Sequence, residues 1–300
     1  MPPARRVHVE VEGRELSLSN LDKVMYPEVG FTKGQVIDYY TRMAPVVLPH
    51  LRDRPLTLKR YPNGVDAGHF YEKQCPSHRP EWVRSEAVEL SSKTINFCIC
   101  DNLATLVWLA NLADLELHPS LSKTPEVERP TLMAFDLDPG PGTGLVECCE
   151  VALILRDALA HLGLESFPKT SGSKGIQVYV PLNVDDVDYD HGTKALSHAL
   201  ARHLEGAHPK LIVSQQRKDL RRGKVLIDWS QNALMRTTVN VYSLRARERP
   251  TVSTPLRWEE VEAGDTDALV FEADDVLARV EQHGDLFAPV EQLRQSLPEL

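Results

Sequence analysis

Apolar and polar side chains alternate from Val7 to Leu18, with Val7-His8-Val9-Glu10-Val11 leading into Glu12-Gly13-Arg14, and this period of two around a glycine predicts an N-terminal hairpin. The period then lengthens. From Thr32, placed to cap a helix, Val36, Ile37, Tyr40, Met43, Val46 and Val47 recur at helical spacing to about Leu51. Similar spacing predicts helices from Asp101 through Leu112, from Leu145 to Leu162, and from near Asp190 to near Glu205. Thr131 to Leu137, Gly175 to Pro181, Leu211 to Ser214 and Lys224 to Trp229 are short apolar or alternating runs bounded by Gly, Pro or charge, and they predict strands. Residues 119 to 130 carry no period and read as a linker. Beyond Pro250, Val276 and Val280 restore helical spacing, which predicts a packed appendage. Long helices alternating with strands point to an α/β or α+β fold, with helices against a central mixed sheet.

Length and composition narrow this picture. Three hundred residues suit one large domain or two closely packed lobes, and no apolar run is long enough to span a bilayer. No signal-like stretch follows Met1-Pro2-Pro3-Ala4-Arg5-Arg6, so a cytoplasmic location and no membrane partner are expected. Five cysteines, with Cys148 and Cys149 adjacent, do not resemble a secreted disulfide framework, and reduced, buried thiols are expected. Cys98-Ile99-Cys100 lacks the two-residue gap of common structural zinc sites. The net charge of -9 resides in the last 50 residues, where 12 acidic and 3 basic side chains leave the first 250 neutral. Within that neutral part, residues 211 to 249 hold nine basic against three acidic side chains, which is either a phosphate-contacting surface or a solvated loop face.

Chemistry concentrates at a few positions. In Phe135-Asp136-Leu137-Asp138-Pro139-Gly140 the two carboxylates of one strand share a face, where they repel unless a proton or cation is shared. Val225-Leu226-Ile227-Asp228-Trp229 embeds a third carboxylate in an apolar strand. Three carboxylates from two strands suit two Mg²⁺ or Mn²⁺ ions. Thr170-Ser171-Gly172-Ser173-Lys174-Gly175 lies between strand-like runs and reads as a phosphate-binding loop or a plain hairpin; the Walker spacing is absent. His118, read alone, is a structural histidine.

Taken together, these residues resemble the polymerase domain of bacterial ligase D proteins, in the archaeo-eukaryotic primase superfamily. The resemblance is carried by Leu21 to Pro27, Lys59 to Gly64, Phe70 to Lys73, Phe135 to Gly140, Thr170 to Gly175, Asp228 to Asn232 and Tyr242 to Arg245. It implies an α+β primase-polymerase fold over residues 1–300, with an N-terminal part (1–118) packed against a catalytic core (131–250) and an acidic C-terminal appendage (251–300). It further implies that Asp136, Asp138 and Asp228 are catalytic metal ligands. Lys59, His118, Ser171, Lys174, Gln231 and Arg245 would serve the incoming nucleotide. Asn20, Lys23 and Lys33 would bind the 5′-phosphate of a downstream strand, and Phe70 and Tyr71 would stack on template bases.

The implied activity is addition of ribo- or deoxyribonucleotides to 3′ ends in gap filling and end joining. DNA with gaps, breaks or overhangs, nucleoside triphosphates, a Ku-type end-binding protein and a separate ligase would be its partners. No Lys-x-Asp-Gly adenylation motif is present, so ligation by that chemistry is not expected. The chain reads as a free-standing relative or as part of a longer protein. Two other readings remain: a metal-dependent phosphohydrolase or nuclease, which the Ser-Gly-Ser-Lys loop and Arg245 disfavour, and a catalytically silent DNA-end binder, which has no use for three carboxylates.

Overall fold

The alternating N-terminus becomes a hairpin in the structure, a computed structural model that describes residues 6–90 and 93–298. The opening Met1 to Arg5, where no leader is expected, lies outside the described residues. β1 (Arg6–Val11) and β2 (Arg14–Ser19) pair antiparallel, and Leu16 and Leu18 turn inward. β3 (Val24–Tyr26) and β4 (Phe31–Thr32) form a second short pair that delivers the chain to α1 (Lys33–Leu51). The expected cap is in place. Gln35 N donates to the Thr32 hydroxyl at 3.3 Å, and Thr32 N donates to Gln35 Oε1 at 2.8 Å. Such a cap contributes about 1 kcal/mol.

A sheet absent from the sequence reading comes next. β5 (Leu56–Arg60), β6 (Phe70–Glu72), β7 (Ser85–Leu90), β8 (Lys93–Cys98) and β9 (Asp114–Pro119) are all antiparallel, with β5 paired to β6, β8 and β9. Between β8 and β9 runs α2 (Leu103–Asn111). It begins later than Asp101 because Asn102, still extended, caps it by accepting from Thr105 N at 2.9 Å.

The thiols require a correction. Cys75 and Cys98 form a disulfide, while Cys100, Cys148 and Cys149 are buried and free. The cause is tertiary: Cys75 N donates to Asn96 O at 2.6 Å, laying the segment after β6 along β8 and bringing the two Cα atoms to 4.9 Å. A separation of 23 residues gives no hint of this.

The second half of the chain builds the expected mixed sheet. β10 (Leu132–Pro139), β11 (Phe167–Thr170), β12 (Ile176–Pro181), β13 (Ile212–Val213) and β14 (Val225–Asp228) lie in the order β11-β12-β10-β14-β13, antiparallel except for β13 beside β14. α3 (Leu145–His161) and α4 (Lys194–Ala207), the latter entered through a π-helical turn at Tyr189–Thr193, cover one face. Met133, Phe135 and Leu137 of β10 pack there with Cys148, Leu155 and Leu200. Leu132 and Ala134 point the other way, into the core shared with α1 and β9. Period two therefore aims Asp136 and Asp138 toward the N-terminal half.

The appendage is packed as expected. α5 (Trp258–Ala263), α6 (Ala273–His283) and α7 (Pro289–Gln292) bury Val261, Val276 and Val290. Residues 119 to 130 are irregular but not loose, since Ser120, Leu121 and Ser122 are buried and Thr124 N donates to Asp53 O at 2.7 Å. No helix among the described residues is long and apolar enough to cross a membrane.

Candidate active site

β10 and β14 bring the three aspartates together, with Asp228 directly opposite Asp136 in the antiparallel register and Asp138 two residues along the same face. The strand pair is extended by a side chain. Beyond β14 the chain turns at Trp229, and the buried Asn232 accepts from Ala134 N at 2.8 Å and donates to Ala134 O at 2.7 Å and Trp229 O at 3.1 Å. The same turn fixes Asp228, whose Oδ1 accepts from Ser230 N (2.9 Å) and Ser230 Oγ (2.6 Å) and whose Oδ2 accepts from Gln231 Nε2 (2.9 Å). Gln231, expected at the nucleotide, thus also holds a carboxylate.

Burial pushes the Asp136 carboxyl up to about 7, Asp138 and Asp228 add to the rise, and a hydrogen bond from Gln177 opposes it. Burial likewise raises Asp138, with Asp228 adding and Arg221 and Arg245 opposing. A divalent cation relieves this kind of strain, and a set of hard carboxylate oxygens suits Mg²⁺ or Mn²⁺. Among the described residues no three His, Cys, Asp or Glu side chains close on one point as a finished cage. The local reason is that Asp228 is drawn to its own turn. The donor chemistry and shared location fit the ions, and Asp228 Oδ2, with one hydrogen bond, keeps a lone pair for a cation.

Opposite the carboxylates stands a basic wall. Asp136, Asp138, His118, Ser171, Lys174, Gln231, Arg221, Arg245 and Arg247 line one cleft of about 330 Å³ between the two sheets. Its loop is shaped by Gly172, at φ +65°, where a Cβ would stand 2.6 Å from the Val252 carbonyl carbon. Ser171 Oγ accepts from Ser173 N and Gly175 N at 3.2 Å each, while Arg245 donates to Ser171 O and Arg247 to Ser173 Oγ. Gly140 lets the 221 loop close over the end of β10, since a Cβ there would stand 1.8 Å from Arg221 O. The basic stretch therefore divides: Arg221, Arg245 and Arg247 face the cleft, whereas Arg217 and Arg249 pair with Asp219 and Glu272.

Glu116, overlooked in the sequence, organises the far side. Its buried carboxylate meets His118 Nε2 and Lys59 Nζ, each at 3.0 Å, and Arg245 Nε at 3.4 Å, and its other oxygen accepts from Ala246 N at 3.0 Å. Burial pushes this carboxyl up, but the His118 hydrogen bond and the Arg245 and Lys59 charges hold it well below the ordinary range. Burial lowers His118, with Glu116 opposing and Arg245 and Lys59 assisting, so the ring is neutral. With Nε2–H donating to Glu116, Nδ1 remains an acceptor. Tyr71, 59% exposed, stands edge-on to His118 with ring centroids 6.2 Å apart, and Phe70, 43% exposed, lies on the other face of β6 over Arg60. The missed Glu116 did leave a signal, because Leu115-Glu116-Leu117-His118 puts both polar groups on one face of a strand.

Asn20, Lys23 and Lys33 stand apart from the cleft. Asn20 and Lys23 edge a surface hollow of about 640 Å³ with Val7, Leu21 and Asp22. Lys23 Nζ donates to Pro62 O at 2.6 Å, and the buried Lys33 Nζ donates to Ser19 O at 2.7 Å. The first amides of α1 are engaged internally, Lys33 N with Lys23 O and Gly34 N with Leu21 O, both at 2.8 Å. At this hollow an anion would meet Lys23 beside Asp22 rather than the helix end, and Lys33 does not line it.

The chain resembles known proteins along most of its length. Over 276 residues it is 41% identical to the multifunctional non-homologous end joining protein LigD of Mycolicibacterium smegmatis, covering 91% of this chain and 36% of that protein. It is 32% identical over 270 residues to the bifunctional non-homologous end joining protein LigD of Bacillus subtilis, covering 90% of this chain and 43% of that one. The chain thus spans about a third to two fifths of these relatives. The solved polymerase domain of Mycobacterium tuberculosis ligase D in complex with DNA superposes with a TM-score of 0.87 at 40% identity, covering 93% of this chain and 99% of that one. Residues 32–287 match the family described as LigD, primase-polymerase domain, and the chain belongs to that family.

Proposed function

We propose that this chain is a DNA-repair nucleotidyltransferase that adds ribo- or deoxyribonucleotides to the 3′ end of a primer at gaps and broken ends. The observation that carries this reading is the cleft in which Asp136 and Asp138, with Asp228 directly across the strand pair from Asp136, face Lys174, Arg221, Arg245 and Arg247. Asp136, Asp138 and Asp228 would hold two divalent ions, Mn²⁺ or Mg²⁺, which when bound supply an activated 3′ hydroxyl and a stabilised pyrophosphate.

The chain's own residues do the rest. Lys174, Arg245, Arg247 and the Ser171 loop bind and orient the triphosphate by charge-assisted hydrogen bonds. Neutral His118 presents an acceptor nitrogen toward a sugar hydroxyl, with Lys59 and Glu116 fixing its ring. Tyr71 and Phe70 offer exposed π faces to template bases. Asn20, Lys23 and Lys33 would take a downstream 5′-phosphate. A hydrolase reading is weaker, because a basic wall of this size matches a polyphosphate better than water. A cytoplasmic setting, a Ku-type partner and a separate ligase complete the proposal.

The test is primer extension on a 5′-phosphorylated gapped duplex with Mn²⁺ or Mg²⁺ and each of the eight nucleotides. Asp136→Ala, Asp138→Ala and Asp228→Ala should each lower nucleotide addition about a thousandfold or more, roughly 4 kcal/mol of barrier, while DNA binding is retained. Extension near the parent rate by any of them would sink the assignment.

A further inference from the structure

The polar side chains of the catalytic sheet form a row that crosses four strands. In the antiparallel registers Lys169 of β11 lies opposite Gln177 of β12, Gln177 opposite Asp136 of β10, and Asp136 opposite Asp228 of β14. Residues directly opposite in such sheets have neighbouring side chains on one face. Two of the four, Lys169 and Gln177, are almost wholly inaccessible, at 0% and 3%. A lysine without surface is costly unless each of its protons finds an acceptor.

Lys169 meets that condition. Its Nζ lies 2.5 Å from Gln177 Oε1, 2.6 Å from Ser253 Oγ and 3.1 Å from Val239 O, and the ring of Tyr179 lies 5.3 Å away. The Val239 carbonyl can only accept. Ser253 Oγ has already given its one proton to Thr170 O at 2.8 Å, so it also accepts from Lys169. The third partner of the amine is Gln177 Oε1, and burial draws Lys169 well below the ordinary lysine value, with Asp136 opposing and Arg245 assisting. Because an amide has one acceptor end and one donor end, engaging Oε1 leaves only the NH₂ for the neighbour across the sheet. That neighbour is Asp136, which the antiparallel register places directly opposite Gln177 and whose carboxyl the amide lowers against its burial.

We infer that Lys169 and Gln177 are positioning residues: the buried Lys169 amine orients the Gln177 amide, and the amide in turn holds the Asp136 carboxylate in the orientation from which it can take a divalent cation. Lys169 does not line the cleft, and Gln177 lines it beside Asp136. A plain structural role for Lys169 would need only filled space and satisfied protons; it would not require one of its two side-chain partners to be the residue facing Asp136. Outer partners that orient ligating carboxylates typically change metal affinity or activity about 10- to 100-fold when removed. The inference rests on the proposed role of Asp136 as a metal ligand.

The test uses the whole chain without DNA or nucleotide, with Mn²⁺ as the probe and free Mn²⁺ read by electron paramagnetic resonance. Gln177→Leu should weaken Mn²⁺ binding about tenfold or more and lower kcat for nucleotide addition, with KM for the nucleotide within about twofold of the parent. Gln177→Glu, which keeps the shape and the Lys169 partner but aims an acceptor at Asp136, should bind Mn²⁺ no better than Gln177→Leu. Lys169→Met should act in the same direction, and the double variant should match Gln177→Leu, since Lys169 acts only through Gln177. If Lys169→Met fails to fold, as judged by circular dichroism, the two Gln177 variants decide alone. Parent Mn²⁺ affinity in Gln177→Leu overturns the inference, as do Lys169→Met and Gln177→Leu effects that multiply. Asp138→Ala and Asp228→Ala serve as controls. If they also keep parent Mn²⁺ affinity, it is the carboxylate site that fails; if they lose it while Gln177→Leu does not, only the positioning role fails.

Discussion

Asn232 shows how much can hang on one amide. It replaces the backbone partner that β10 loses where β14 ends, and by pinning Trp229 O it sets the turn whose Ser230 and Gln231 hold Asp228. Asn232→Ala leaves the Ala134 N–H and C=O buried and unpaired, at about 1–3 kcal/mol for each such group. We therefore expect urea unfolding to give a loss of about 2–4 kcal/mol. Nucleotide addition, measured well below the new transition, should still fall, because Asp228 loses its anchored turn. Parent stability would mean that Ala134 finds other partners. Residues of this kind were half legible. A lone polar side chain in an apolar strand marked Asp228, and the same signal marks Gln177 in Ile176-Gln177-Val178, yet a neutral amide attracts less notice than a charge. Glu116 was hidden for another reason, since its importance lies in Lys59, His118 and Arg245 arriving from distant parts of the chain.

At the scale of elements, the C-terminal appendage is fastened to α1 by buried charge. His50, in the last turn of α1, sits 2.9 Å from Asp285 and 3.6 Å from Glu291, and Arg54 and Lys123 meet Glu291 at 3.0 and 2.7 Å. Burial opposes the His50 charge, but the hydrogen bonds and charges of Asp285 and Glu291 raise it above the ordinary value of 6.5. Those partners in turn hold Asp285 and Glu291 below the usual carboxylate range against their own burial. The signs follow from linkage. The His50 contribution is complete below about pH 6.5 and is lost as pH rises through the elevated folded value; the carboxylate contributions are present above about pH 4 and vanish on acidification. The stability difference between the parent and His50→Asn, taken from thermal unfolding between pH 5.5 and 9, should therefore shrink toward alkaline pH. A constant difference would show that His50 titrates alike in the folded and unfolded chain. Glu291→Ala, which strands Arg54 at 1% exposure, should cost about 3–5 kcal/mol. The strands of the mixed sheet in the second half of the chain were readable because they are short apolar runs between breakers. The first sheet was not. In β9 the charged Asp114 and Glu116 point inward, β6 is a three-residue exposed edge, and β7 buries only Val88, so the polar–apolar code is inverted or blank. The Cys75–Cys98 bond was invisible for the same reason, as it depends on that sheet.

Across the whole molecule, β5 stands between two charged regions and turns one residue to each. Lys59 pairs with Glu116; Arg60 stacks on Phe70, pairs with Glu72 at 2.7 Å and adds its charge to the field at Lys33. β5 thus sends one side chain to the Glu116 cluster beside the cleft and the next toward the field at Lys33. If the hollow edged by Asn20 and Lys23 takes a 5′-phosphate, Lys33 should report it. Burial first, then the charges of Lys23 and Arg60, lower Lys33 from 10.5 to about 8. A phosphate dianion brings the missing negative charge, so it binds best while Lys33 is an ammonium. Below about pH 8 the preference for 5′-phosphate over 5′-hydroxyl DNA should be nearly flat; above it the preference should fall by up to about tenfold per pH unit as the proton is lost. An ordinary surface lysine would hold its charge to about pH 10 and give no such fall. Fluorescence anisotropy with paired gapped duplexes from pH 7 to 9.5, at one fixed salt concentration because phosphate contacts weaken with salt, measures the ratio of dissociation constants directly. Lys33→Met should show a small ratio that does not vary with pH. A parent ratio unchanged up to pH 9.5 would remove Lys33 from the phosphate site, and a ratio of one at every pH would remove the site itself, leaving the cleft and its carboxylates to be judged on their own.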